Sequence, residues 1–597
     1  MTPRTGQRPI LPTWPVGRLA AYQPVWFFLG ALGWLLYHTW PLLPGLLGKM
    51  FFDLLGGEVR GPSLGVILAL VAAAGLARVG IVLTATVTAT KWRFGARSLV
   101  QRNILARIFR MPGAQPVPGG VDRSLSTLRD DAEAISKTGD WAFDAVAAVV
   151  FATSGIAILL TVDAMVTLFV VVPLVLVVLL AHSVRSRVER FRERSRAATA
   201  DVTGTIGDLV SGVRAIQAAG KEGAVVAHLR RQGELRKRAA LRDDLQSAWL
   251  DAVFENMASL GTGLTLLVAA SSMRSGQFTI GDFVLFSTYL MQVSDYVGFV
   301  GYLARSRRQA TVAFRRAGDM MQGAPRNDLV AHHPLHLSGP AAVDQWPPPE
   351  ANGDRLRELR VTGLTLRFPD SGRGISDVDL CLERGSLTVV TGRVGAGKTT
   401  LLRTILGLLP AQSGAVHWNG TQIGSPDGFM VPPRASYTPQ SPTLLSGTLR
   451  ENVLLGLAAP ERVGEAVRAA VFDRDLAAMP DGLDTEIGVR GRRLSGGQVL
   501  RTAAARMLVR RPDLLVFDDL SSALDLETES ELWQRVLDLG ATCLVVSHRP
   551  MALARADKIL VLKDGRVVGD GKLPDLLESC AEMRALIAEQ HAGRPTG

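Results

Sequence analysis

The sequence predicts a multi-domain chain, an all-α membrane domain with six spans followed by an α/β domain. Three observations predict it. Nearly all long apolar runs lie before residue 305, a segment with six Pro occupies 323–356, and short β-branched strands alternate with helices beyond it. At 597 residues the chain is too long for one ordinary core. With 47% apolar residues and no triplet period in its 60 Gly, it is neither disordered nor collagenous. Its three Cys all lie beyond position 380, which suits a reducing compartment better than a disulfide framework. The basic excess, Lys+Arg 66 against Asp+Glu 55, accompanies long apolar runs, a combination foreign to nucleic-acid binders, so no nucleic-acid partner is expected.

Six runs are long enough to cross a hydrocarbon core, near 24–47, 63–89, 144–163, 164–184, 249–272 and 279–303. The third and fourth are separated by little more than Asp163 and read as a tight hairpin. Soluble helices carry a polar face, and "VTLFVVVPLVLVVLL" has none. Basic residues orient the spans: Arg4, Arg8 and Arg18 precede the first, Lys91, Arg93 and Arg97 follow the second, and six Arg between 185 and 196 follow the fourth. The N-terminus and the even-numbered loops are therefore expected in the cytoplasm, in a multi-pass plasma (cell inner) membrane protein. Loops 91–143 and 185–248 are rich in Ala, Leu, Arg and Glu, and should continue as helical arms into the cytosol. Arms of ~25 residues reach about 38 Å. The expected division is a cytoplasmic tail at 1–22, a membrane domain at 23–320, a Pro-rich linker at 321–355, an α/β domain at 356–590 and a C-terminal tail at 591–597. His332, His333 and His336 in the linker lack a complementary ligand set, so no metal site is read there.

In the second domain, strand "SLTVV" runs into Gly392, Arg393, Val394, Gly395, Ala396, Gly397, Lys398, Thr399 and Thr400, then into a helix. This is G-x-x-x-x-G-K-T in its strand–loop–helix setting, the mark of an α/β P-loop nucleotide-binding domain. The glycines let backbone N–H groups curl around phosphates, Lys398 reaches the terminal phosphates, and the Thr399 hydroxyl is placed for Mg²⁺. Strand "DLLVFDD" ends in Asp518, placed to hold Mg²⁺, and Asp519, placed to polarise water. Strand "CLVVSH" delivers His548 at its carboxyl end, where ligands of open parallel sheets bind. Between them, Leu494, Ser495, Gly496, Gly497 and Gln498 open a helix. Those residues suit a second anion-directed helix start, and equally a plain N-cap.

These motifs, in this order with "SSALD" at 521–525, resemble an ABC transporter ATPase domain. Six spans preceding it are similar to an exporter-type half-transporter of that superfamily. "GVDRSLSTLRDD" at 120–131 and "SGVRAIQAAGKE" at 211–222 are similar to its two coupling regions, and Tyr437 to Val453 to its Q-loop and the stretch after it. The resemblance implies ATP and Mg²⁺ as cofactors. It implies that Gln440 links Mg²⁺ and water to the membrane domain, Phe368 stacks on adenine and Asp525 belongs to a D-loop. It also implies that the LSGGQ of one chain closes on the ATP of another, so a second half-transporter chain is the expected partner, alongside membrane lipids. ATP-driven transport by alternating access follows as an expectation.

Two positions depart from the family pattern. Asp519 stands where the family has Glu, which withdraws the carboxylate by ~1.5 Å. Either the chain forms the weak site of a heterodimer, the reading slightly preferred, or a homodimer hydrolyses slowly with more of the work on His548. Val489 replaces a Glu in "TEIGVRG", while Glu486 and Arg490 remain. Arg78, Glu255 and Asp295 fall inside spans, with Asp251 and Asp282 nearer the ends. Each faces either a cavity or a partner charge, and Arg78 pairing with Asp295 or Glu255 is as open as contact with substrate. The surplus of acids favours an amphipathic cationic substrate. An exporter of a small molecule, lipid or peptide leads, and an importer on the same fold or an ATP-gated channel stays open. No peptidase segment is read, so leader processing is not expected.

Overall fold

The computed structural model describes residues 13–57, 62–111, 120–274, 277–337, 354–369, 371–519 and 524–592. They fall into two compact units, Met1–Ile108 with Val117–Leu337, and Phe109–Pro116 with Ser338–Gly597.

The first unit is helical. Its elements are α1 (Thr13–Tyr22), α2 (Pro24–Thr39), α3 (Leu42–Leu55), α4 (Leu64–Arg110), α5 (Gly120–Ser126), α6 (Ala132–Ser136), α7 (Thr138–Val162), α8 (Ala164–Ala219), α9 (Glu222–Arg274) and α10 (Ile280–Met320). By length and hydropathy, Leu64–Arg110 and Arg123–Val162 can cross a membrane, and Pro15–Tyr22 with Pro24–Leu55, bent by 106°, make a third candidate. The spans expected at 164–184, 249–272 and 279–303 lie on α8, α9 and α10, where several side chains are outside those described. The expected α7–α8 hairpin is present: Asp163 is extended, and its carboxylate accepts from Met165 N (2.9 Å) and Val166 N (3.0 Å), capping α8.

The arm expected at 185–248 is helical on both sides of a turn at 220–221. α8 has 56 residues and runs about 84 Å. It turns at Gly220, whose φ of +57° a Cβ would disfavour, and α9 returns along it. Arg192 ties the two, donating to Ser247 Oγ (3.1 Å) and lying 3.8 Å from Asp243.

The first expected span is interrupted at Trp40–Pro41, because Pro41 lacks an N–H and its ring crowds the preceding turn. Two α10 tyrosines seven residues apart brace the interruption. Tyr296 Oη donates to the His38 carbonyl (2.5 Å) and Tyr289 Oη to that of Leu42 (2.8 Å). Beside it α2 approaches α4 on small residues. A Cβ added to Gly33 would lie 2.7 Å from Ala85 Cβ and 2.9 Å from Ala85 Cα. Gly33→Ala is expected to force the helices apart at a cost of about 1–3 kcal/mol. It should lower the thermal midpoint of the detergent-solubilised chain, whereas Gly204→Ala, where the added Cβ meets open space, should not.

The tail and the linker differ from expectation. Residues 13–22 form α1, with Leu19 fully buried and its carbonyl 3.4 Å from Trp92 Nε1. Residues 321–337 pack against the helical unit: Leu329 and Val330 are buried, Asn103 donates to the carbonyls of Leu329 (3.1 Å) and Ala331 (2.9 Å), and Arg107 to those of Met321 and Gln322. Proline content signals a segment without helix, but apolar residues between the prolines still find a core. Residues 1–12 and 338–353 lie outside the described residues.

Asp282, read as a charge near a span end, is the third residue of the α10 capping box with Thr279 and pairs with Lys49, which also reaches Asp53 (3.1 Å). Arg78 is exposed, its Cζ 5.6 Å from the centre of the Tyr37 ring. The side chains of Asp251, Glu255 and Asp295 lie outside those described.

The second unit has two sheets. An antiparallel one runs β2 (Gly374–Glu383), β1 (Glu358–Arg367), β4 (Ser413–Trp418), β5 (Thr421–Gln422). The larger runs β10 (Arg566–Gly571), β9 (Lys558–Lys563), β3 (Leu387–Gly392), β8 (Thr542–Val546), β7 (Leu514–Asp518), β6 (Ala435–Thr438), parallel from β9 to β6. β3, β7 and β8 are buried along their whole length, so apolar side chains fill both faces and period-2 alternation is absent.

Candidate functional site

Sheet register brings the motifs together. Val390 of β3 and Asp518 of β7 both pair with Val546 of β8, so the three strands end level at their carboxyl ends. The P-loop leaves β3 there, with Gly392, Gly395 and Gly397 at φ +147°, +84° and +101°. At Gly392 a Cβ would lie 2.2 Å from the Leu562 carbonyl oxygen, so the loop cannot hold a side chain there. α11 (Lys398–Ile405) follows, its amino end at the loop. Val394 is fully exposed and Ala396 is buried. Lys398 Nζ donates to the loop carbonyls of Gly392 (2.6 Å) and Arg393 (2.9 Å). Burial pushes its ammonium below the usual lysine value, opposed by the nearby Asp519 and Asp518.

Thr399 Oγ1 donates to Asp518 Oδ1 (3.1 Å) and Tyr437 Oη to Asp518 Oδ2 (3.3 Å). Burial raises the Asp518 carboxyl, and those two bonds oppose the rise. Asp519 stands just past β7 at φ +56°, a left-handed conformation that Asp tolerates better than most residues. Its N–H donates to the Val546 carbonyl (3.0 Å). Gln440 Nε2 donates to Asp519 Oδ2 (3.3 Å), and His548 Nδ1 lies 4.0 Å from Oδ1. Burial raises this carboxyl as well, opposed by His548. Lys398, Thr399, Asp518, Asp519, Gln440 and His548 thus form one cluster. Thr399, Asp518 and Gln440 offer the hard oxygen donors that Mg²⁺ takes, alongside phosphate oxygens. Among the described residues no group of three or more His, Cys, Asp or Glu could hold a metal, and His332 instead meets the Arg18 carbonyl (2.8 Å).

Phe368 is 40% exposed, in the turn closed by its N–H to the Arg373 carbonyl (2.8 Å). That turn enters β2 at Gly374, whose carbonyl abuts Gly397 of the P-loop. Ser495 caps the helix Gly496–Leu508 in a reciprocal box with Gln498, so the plain N-cap reading of L-S-G-G-Q describes its local structure. Gln498 also reaches Asp475 (3.0 Å), while Ser495 and Gly496 stay exposed, leaving an open helix start. Asp525 caps the helix Leu526–Asp538 through Thr528 N (2.9 Å), and residues 521–523 lie outside the described residues. Val489 is exposed, and the Arg490 side chain is not among those described.

Sequence reasoning missed two supports. Tyr437 sits in the quoted Q-loop run, and an aromatic at the end of a strand beside β7 was the available signal. Arg393 is held by the helix Ala581–Ala592, through Glu582 (2.7 Å) and Glu589 (2.9 Å), and Glu582 also takes Lys563 (2.8 Å). Lys563 and Arg393 hold the Glu582 carboxyl below its usual value. No local pattern links residues so far apart in sequence.

Comparison with known proteins agrees with this geometry. The family described as ABC transporter transmembrane region matches residues 25–297, and the family described as ABC transporter matches 375–522, together more than half of the chain. The chain is 28% identical over 497 residues, 80% of its own length and 79% of the other's, to an ATP-dependent lipid A-core flippase of Bordetella avium. It is 27% identical over 399 residues, 65% of its length and 64% of the other's, to the probable multidrug resistance ABC transporter ATP-binding/permease protein YheI of Bacillus subtilis. A bacterial Atm1-family ABC exporter solved with ATP bound shares the fold, with a TM-score of 0.71 over 98% of this chain and 100% of that one at 21% identity. With a transmembrane region and an ATP-binding domain on one polypeptide, this chain belongs to the ABC transporters and has the architecture of a half-transporter.

Proposed function

We propose that the chain exports an amphipathic small molecule, lipid or peptide across the plasma membrane, working as a dimer with alternating access. The observation that carries the reading is one set of nucleotide motifs on the same chain as one helical unit. The Lys398–Asp518–Asp519 cluster lies at the strand ends, and L-S-G-G-Q lies at an open helix start able to serve another chain's nucleotide. ATP held in the sandwich favours the closed dimer, hydrolysis releases it, and α8 and α9 carry the change to the spans. Thr399, Asp518 and Gln440 would hold Mg²⁺, which supplies charge neutralisation at the phosphates. Asp519 holds the attacking water and takes its proton, Gln440 orients that water, and His548 stabilises charge beside it. Phe368 supplies a face for adenine. The short Asp519 side chain favours pairing with a second, different half-transporter chain.

Purified chain in proteoliposomes with the ATPase domain outward tests this. ATP-dependent uptake of cationic amphipathic dyes or labelled lipid into the lumen is the expected result, and Asp295→Asn or Glu255→Gln should reduce uptake of the cations. Movement out of the lumen would support an importer instead. ATP-gated current without uphill transport would support a channel.

A further inference from the structure

A P-loop cradles phosphates with its backbone N–H groups, a role that leaves the side chain of Arg393 unused. Arg393 follows Gly392, the first glycine of the loop, and its guanidinium meets the helix Ala581–Ala592. Nε lies 2.7 Å from Glu582 Oε1 and Nη2 lies 2.9 Å from Glu589 Oε1. The two carboxylates are seven residues apart, and so share one face of that helix. The other Glu582 oxygen takes Lys563 Nζ (2.8 Å) at the end of β9.

The helix is a firm support. Met583 and Leu586 are buried in the same core as Val389 of β3, the strand that feeds the loop. The two carboxylates are unequal anchors. Arg393 and Glu589, 52% and 59% exposed, form a pair that water and salt screen. Glu582 is 8% exposed, so its charge is screened less. The backbone of Arg393 is engaged as well. Its carbonyl accepts from Lys398 Nζ (2.9 Å) and from the Ala396 N–H (3.1 Å), which uses both lone pairs. One residue thus joins the buried helix, through its side chain, to Lys398, through its carbonyl.

We propose that Glu582 is a positioning residue for ATP binding, holding the P-loop through Arg393 in the shape that receives the phosphates, which rests on the reading of Lys398 and the loop as the phosphate site above. A loop without its anchor spends part of its time in other shapes, and apparent affinity falls with the fraction that is competent. Once ATP is bound, its phosphates order the loop themselves. Loss of the anchor therefore raises the KM for ATP and leaves kcat unchanged.

The test is binding of a fluorescent ATP analogue to the full chain in nanodiscs, without Mg²⁺, with steady-state hydrolysis measured alongside. Glu582→Gln keeps the side-chain shape and removes the charge. It should raise Kd and KM by about tenfold, the worth of a hydrogen bond to a charged group, with kcat retained. An unchanged Kd overturns the proposal. Arg393→Met alters an exposed loop side chain and gives the same readout if Glu582→Gln fails to fold. It should raise Kd by the same factor, and the double variant should raise it no further; additive losses overturn the coupling. Lys563→Met removes the other partner of Glu582 and leaves Arg393 anchored, so Kd should not change. A rise equal to that of Glu582→Gln would mean that Glu582 only holds the helix down, and overturns the positioning role. Lys398→Ala separates the two readings. If it binds the analogue as wild type does, the phosphate-site reading fails, whereas weakened binding there beside an unchanged Glu582→Gln overturns only the anchor.

Discussion

Asp519→Glu raises the ATP turnover of the purified chain by about 100-fold. An Asp carboxylate is one methylene short of a Glu carboxylate, and a misplacement of about 1 Å costs on the order of 100-fold, ~2.7 kcal/mol. The cluster is otherwise prepared for a base, since Gln440 donates to Asp519 (3.3 Å) and His548 stands 4.0 Å away. Turnover by the chain alone, by Asp519→Glu and by Asp519→Asn reads the effect. Slow wild-type turnover rescued by Glu supports a weak site completed by a different partner chain. Fast wild-type turnover abolished by Asn means that Asp519 suffices and a homodimer is competent. The pH profile carries a sign. Burial raises the Asp519 carboxyl above its ordinary 3.8, so activity that needs the carboxylate is present at high pH and is lost as pH falls through that raised value.

Lys398→Ala removes turnover by about 10²–10³-fold and weakens binding of a fluorescent ATP analogue. Lys398 Nζ is held by the carbonyls of Gly392 and Arg393, and burial disfavours its charge. A phosphate chain adds counter-charge to that of the nearby Asp519 and Asp518, and removing the ammonium takes away a donor aimed at charge that develops in the transition state. Stopped-flow binding and steady-state hydrolysis separate the two losses. Retained turnover would mean that the loop N–H groups alone cradle the phosphates.

Asp518 and Lys398 were legible in the sequence because each belongs to a contiguous pattern whose spacing is fixed by one strand, one turn and one helix. The spans were legible for a similar reason, since a hydrocarbon core demands about 20 apolar residues in a row. The α7–α8 hairpin could be placed at Asp163 because a polar residue between two apolar runs has few other uses. Packing could not be read this way. Leu19 of the expected tail and Leu329 of the expected linker are buried by residues far away in sequence. For Asp282 the sequence left a cavity and a partner charge both open, and only packing showed Lys49 and the Thr279 cap beside it.

By itself the sequence determined the two-part architecture, the nucleotide motifs and their order, because these depend on local periodicity and local spacing. Only the tertiary structure decided that Tyr437 supports Asp518, that Glu582 and Glu589 hold the P-loop arginine, and that His38 meets Asp144 and Tyr296. Those contacts join residues 81, 189, 196, 106 and 258 positions apart. Hydrogen bonds and ion pairs of that kind form where helices and strands happen to pack, and packing is a property of the whole chain.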